Sequence, residues 1–154
     1  TAAYIRRGYP LSVFETAVRN LRERGIEVIV HTILGLPGES QEDILATMKY
    51  LNHRDIQGIK LQLLHVLKDT DLAQEYLEGK FHVYEREEYL NLVIRCLENL
   101  DPEIVIHRMT GDGPEKLLLA PQLPGRKREV LNLLHHQMKV CDSWQGKQFH
   151  SLPE

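Results

Sequence analysis

The chain has 154 residues, is 42% hydrophobic and 27% charged, and carries a formal net charge of −3. This allows one globular domain with a real core and supplies no global field that would select nucleic acid or an anionic membrane surface. No apolar run approaches the ~20 residues of a membrane span, and two cysteines, Cys96 and Cys141, make neither a disulfide framework nor a spaced metal cluster.

Phe14, Ala17, Val18 and Leu21 recur with helical spacing and predict a helix over 11–24, with Ser12 as candidate N-cap and Gly25 just past its end. Residues 27–34 predict a strand, β-branched and apolar in the manner of a parallel sheet buried on both faces. Ser40 then opens a helix whose first turn carries Glu42 and Asp43 and whose inner stripe is Ile44, Met48 and Leu51. Residues 59–66 predict a second strand, with Lys60 and Gln62 on one face and Ile59, Leu61 and Leu63 on the other. A short helix over 70–78 closes at Gly79. A longer helix over 85–100 keeps Tyr89, Val93, Cys96, Leu97 and Leu100 in register and ends at Asp101-Pro102. Residues 103–109 predict a third strand, 110–114 a glycine-rich loop, 115–125 irregular chain, and 126–140 a last helix with Val130, Leu131, Leu134 and Met138 inward. The tail after Trp144 is expected to be loose.

Strands alternating with helices point to an α/β fold with a parallel sheet and crossover helices. Three strands are few beside the roughly eight βα units of a complete barrel. Either this is a small open sheet or the carboxyl-terminal half of a larger barrel. The opening residues Thr-Ala-Ala favour a piece of a longer protein, and the expected setting is cytoplasmic, reducing and free of membrane.

The strand that ends at His31-Thr32-Ile33-Leu34 runs into the turn Gly35-Leu36-Pro37-Gly38-Glu39. Carboxyl ends of parallel strands are where such folds bind ligands. The same residues carry a family resemblance. Together with Arg6-Arg7-Gly8-Tyr9, residues 21–26, residues 58–67, His107-Arg108-Met109-Thr110-Gly111-Asp112-Gly113-Pro114 and Gln145-Gly146-Lys147, they resemble the radical S-adenosylmethionine (SAM) superfamily. The nearest likeness is to bacterial Fe–S oxidoreductases akin to the elongator catalytic subunit and the oxygen-independent coproporphyrinogen oxidases. The 107–114 segment is the more specific part of the match.

The resemblance implies a partial (β/α) barrel, with residues 1–154 as its carboxyl-terminal part and an extension from about residue 101. It implies an enzyme that holds a [4Fe–4S] cluster on a C-x3-C-x2-C triplet, cleaves SAM reductively and abstracts hydrogen from its substrate. No such triplet occurs here. The chain alone is therefore expected to be inactive, to bind neither cluster nor SAM by itself, and to supply no metal ligand. Its expected partners are the missing amino-terminal half of its own barrel and a second copy across raw strand edges. Likeness to the elongator enzyme makes tRNA a candidate substrate.

By the same resemblance, Ile33, Gly35 and Leu36 would pack on the SAM adenine, the backbone of His65, Val66 and Leu67 would hydrogen-bond it, and Arg7 would reach SAM or only cap a helix. Gly35 and Pro37-Gly38 equally suit a tight βα turn. His31 shares the face of Ile33 and is a substrate contact or a hydrogen-bonded core residue. Lys60 and Gln62 face a polar lumen or the wet side of an edge strand. His107, Arg108, Thr110 and Asp112 offer backbone N–H groups and a guanidinium to an anionic substrate, or form a structural turn. A reading from another class, a non-catalytic α/β interaction domain, accounts for the missing nucleophile triads and phosphate loops. It leaves the polar groups at the strand ends unexplained.

Overall fold

A computed structural model of the chain describes residues 1, 3–111, 113–114, 116–122 and 127–149. Helix α1 (Leu11–Arg22) begins after Pro10, whose extended backbone forms the N-cap, so Ser12 lies inside the first turn rather than capping it. Gly25, at φ +70°, ends the turn that follows. Strand β1 (Ile29–Leu34) leads into α2 (Gln41–Asn52), then β2 (Gly58–Leu63). The Ser40 hydroxyl accepts from the Asp43 N–H, and the Asp43 carboxylate accepts from the Ser40 N–H, a reciprocal capping box. Next come β3 (Val66–Leu67), α3 (Asp71–Leu77), α4 (Arg86–Asn99), β4 (Val105–Arg108), β5 (Leu118–Ala120) and α5 (Lys127–Val140).

Strands β1, β2 and β4 form one parallel sheet in the order β1-β2-β4. Lys60 and Gln62 therefore stand on the central strand, not on an edge. One face of this sheet is covered. Leu34, Ile59, Leu61 and Leu63 pack there against Ile44, Met48 and Leu51 of α2 and against Tyr89, Val93, Cys96 and Leu97 of α4. Val18 of α1 and Val130 and Leu134 of α5 extend the same core. Leu131 of α5 stays half-buried.

The other face is open. In β1 exposure alternates, with Thr32 and Leu34 buried while Ile29, His31 and Ile33 are exposed. This corrects the expectation of a strand buried on both sides. A continuous apolar run is the pattern of two covered faces, and here only one cover is among the described residues.

The irregular stretch expected over 115–125 contains β5, which pairs antiparallel with β3. With α3 these two short strands enclose a second, small core of Val66, Ala73, Val83 and Ala120. The segment after Trp144 is tied down as far as it is described. Gln145 Nε2 donates to the carbonyls of Asp101 and Ile104, each at 2.8 Å, and the Gly146 N–H donates to the Leu97 carbonyl at 3.0 Å. No helix among the described residues is long and apolar enough to cross a membrane.

Candidate functional site

Parallel strands put residues of one register and one face side by side, about 4.8 Å apart. In this sheet His31 is the register partner of Lys60, and Ile33 of Gln62. Between β2 and β4 the register shifts after Ile59, so that Arg108 rather than His107 stands opposite Lys60. An irregularity of this kind re-aims side chains. His107 folds over Gly58, where a Cβ would meet its ring at 2.5 Å. The open face thus gathers His31, Ile33, Lys60, Gln62, His107 and Arg108 from three strands.

The His31 imidazole is held below its ordinary pKa, first by burial and then by the positive charges of Lys60 and Arg108. Both effects favour the neutral ring.

At the carboxyl ends of β1 and β2 lies a cleft of about 490 Å³, walled by Ile33, Leu36 and Leu64, by Ile5 and Arg6, and by Thr70 and Asp71 at the start of α3. Arg6 and Asp71 bridge it at 2.6 Å as an exposed ion pair. A second cleft of about 680 Å³ shares Ile33 and Leu36 and reaches His31, Arg7 and Glu39. Arg7 lies along this cleft with its guanidinium 5.0 Å over the Tyr9 ring, and its Nε donates to the Tyr9 carbonyl at 3.2 Å. It does not cap α1.

Gly35 has φ +83°, and a Cβ there would meet the Tyr84 ring at 2.7 Å. The turn therefore requires glycine for its backbone and for its neighbour, with or without a ligand. Nothing in the sequence pattern marked Tyr84, because the contact joins residues far apart in the chain. Beside it, Glu39 buries Oε2 with no partner among the described residues, and burial raises its pKa.

His65 seats its ring against Gly111 and Gly113, where a Cβ at either would meet the ring at 2.7 Å. Two of the segments that carry the family likeness, 58–67 and 107–114, are thus in contact. Val66 and Leu67 pair with β5, and the Val66 side chain is fully buried. Thr110 is buried, and its Oγ1 has no partner among the described residues. Asp112 lies outside the described residues.

The apolar rim of Ile33, Leu36 and Leu64 fits a flat base. An iron–sulfur cluster finds no comparable set. Cys96 is buried in α4, with burial pushing its thiol up to about 12, and Cys141 is exposed beyond α5. No group of three or more His, Cys, Asp or Glu suited to a metal occurs among the described residues.

Comparison with known proteins matches residues 56–140 to the Radical_SAM C-terminal domain family. The chain is similar to the uncharacterized protein YtqA of Bacillus subtilis, 38% identical over 100% of this chain and 48% of that protein. It is similar to the tRNA uridine(34) acetyltransferase of Dehalococcoides mccartyi, 29% identical over 89% of this chain and 30% of that one. Among solved structures it resembles Elp3 of Methanocaldococcus infernus, with a TM-score of 0.79 and 18% identity over 94% of this chain and 34% of the other. That last likeness is one of fold. The chain spans about half the length of the first curated relatives it matches.

Proposed function

Because the chain belongs to the Radical_SAM C-terminal domain family, we propose that its open sheet face is one wall of a SAM and substrate chamber in a longer enzyme. One observation carries this reading. A parallel sheet, the kind normally covered on both sides, leaves one face bare, and that face holds an apolar rim above a row of polar side chains. A barrel lumen has this character.

In this reading Ile33 and Leu36 give the adenine an apolar surface, and Gly35 under Tyr84 fixes the turn that presents them. The backbone of 65–67 meets the base edge. Arg7, with the N-terminal segment, closes the side of the chamber. His31, Lys60, Gln62, His107, Arg108 and Thr110 face the substrate. When bound, the cluster and SAM supply reductive cleavage and hydrogen abstraction, with the iron ligands coming from outside this chain. Edges β1 and β4 are where the remaining strands pair, and in isolation the chain pairs there with a second copy. The tRNA named in one relative makes tRNA the first substrate to try.

The test is anaerobic purification of the intact protein, reconstitution with iron and sulfide, and measurement of 5′-deoxyadenosine from SAM, with and without tRNA. The reading expects a [4Fe–4S] spectrum and 5′-deoxyadenosine from the intact protein, and neither from residues 1–154 alone. Stoichiometric cluster on residues 1–154, or no SAM cleavage by the reconstituted intact protein, would overturn it.

A further inference from the structure

The cleft of about 490 Å³ has one anchored wall and one built from a local turn. The anchored wall is the start of α3. The Thr70 hydroxyl there donates to the Leu67 carbonyl at 2.7 Å and accepts from the Ala73 N–H at 3.1 Å. Asp71, the next residue, thus stands on a platform tied to β3. The opposite wall holds Tyr4, Ile5 and Arg6. Its backbone bonds are local, from the Ile5 N–H to the Thr1 carbonyl at 3.0 Å and from the Arg6 N–H to the Ala3 carbonyl at 3.1 Å. Gly8, at φ +80°, separates this turn from Pro10 and α1. Glycine takes that conformation freely and suits a hinge.

The two walls meet through Arg6 Nη2 and Asp71 Oδ2 at 2.6 Å, with side chains 80% and 75% exposed. An ion pair so exposed holds weakly. Backbone strain works against it, because Arg6 is at φ +53°, a left-handed conformation unfavourable for a non-glycine residue. Asp69, two residues before Asp71, is likewise at φ +61°. Residues held in this way gather at clamps and switches. Apolar burial adds little hold, since Tyr4 and Ile5 stay exposed and neither belongs to a core cluster.

We propose that residues 3–8 are a strap over the ligand cleft, latched to α3 by Arg6 and Asp71, and that unlatching admits and releases the ligand seated on Ile33 and Leu36. This rests on the reading of that rim as a ligand wall and adds the step that controls entry to it. Lifting the strap about Gly8 withdraws Tyr4, Ile5 and Arg6 together. It leaves β1, β2 and their core in place, because the strap contributes nothing to that core.

The experiment uses the intact protein as wild type, R6Q, D71N and the exchanged pair R6D/D71R, with thermal unfolding to establish that each folds. SAM association and dissociation are followed by stopped flow. Hydrogen exchange of the 3–9 segment is read by mass spectrometry without ligand. R6Q and D71N should speed SAM dissociation about two- to fivefold, the scale of an exposed ion pair, and speed exchange in 3–9 by a similar factor. R6D/D71R should return both toward wild type. SAM rates or 3–9 exchange unchanged in folded R6Q and D71N, or no recovery in R6D/D71R, would overturn the latch. Absence of SAM binding by wild type would instead overturn the reading of the rim, and exchange in 3–9 would still decide whether Arg6 and Asp71 hold the strap.

Discussion

Strand β2 presents two faces with opposite chemistry. Ile59 and Leu61 are 0% exposed and Leu63 2%, closed under α2 and α4, whereas Lys60 and Gln62 between them look onto the open side. Neighbouring β1 repeats the contrast, with Leu34 at 1% and Ile33 at 45%. One face of the same six-residue strands stabilises the domain, and the other is free to vary its chemistry with little cost to the fold. The contrast teaches where to look for function, because a half-buried lysine on a central strand is not retained for packing.

Substitutions that sample the two faces test this contrast directly. Leu61→Ala, on the covered side, should cost about 2–5 kcal/mol of stability through lost contacts and a residual cavity, read as a fall in urea midpoint at unchanged m-value. Gly35→Ala should cost about 1–2 kcal/mol for its left-handed backbone alone, and more because the new methyl meets Tyr84. Repeating it in a Tyr84→Ala background should leave only the backbone share. An equal loss in both backgrounds would show that Tyr84 does not constrain the turn.

Alkali tests the covered side in another way. Burial raises the Cys96 thiol from 9.0 to about 12. The folded state therefore holds this proton more tightly than the unfolded chain. The stabilising contribution is intact below pH 9 and is lost between about pH 9 and 12, at about 1.4 kcal/mol per pH unit. Buried Tyr89, also raised by burial, adds to the loss at higher pH. In the folded protein a thiol reagent should label exposed Cys141 quickly and Cys96 only on unfolding. Ser40→Ala should cost about 1 kcal/mol, since it removes one half of the capping box at α2. At the small end, Lys60→Gln should change stability by no more than about 0.5 kcal/mol. A loss like that of Leu61→Ala would erase the distinction between the faces.

Much of this architecture was legible in the sequence because it is local. The Ser40–Asp43 cap, the Lys60/Gln62 against Ile59/Leu61/Leu63 alternation, and the stripe of Tyr89, Val93, Cys96, Leu97 and Leu100 each follow from spacing along one element. What escaped is non-local. β5 has three residues and no alternation of its own, and it exists as a strand through pairing with β3. The 145–149 segment is anchored by Gln145 reaching carbonyls more than forty residues away in sequence. The bare face of β1 was hidden because Ile29 and Ile33 read as core by composition alone. Of the candidate site, the shared face of His31 and Ile33 and that of Lys60 and Gln62 follow from strand periodicity, whereas the register that sets His31 beside Lys60 does not. The alignment of Arg108 with Lys60 depends on a register shift, and the packing of Tyr84 on Gly35 depends on a turn. Neither leaves a pattern in the chain.

The most direct test is a structure of the intact protein with SAM bound. The account predicts the adenine against Ile33 and Leu36, with the backbone of 65–67 at its edge and the His31–Lys60–Arg108 row facing the chamber below. A structure in which the protein's own chain packs tightly over Ile33 and Lys60, with SAM bound elsewhere, would contradict it.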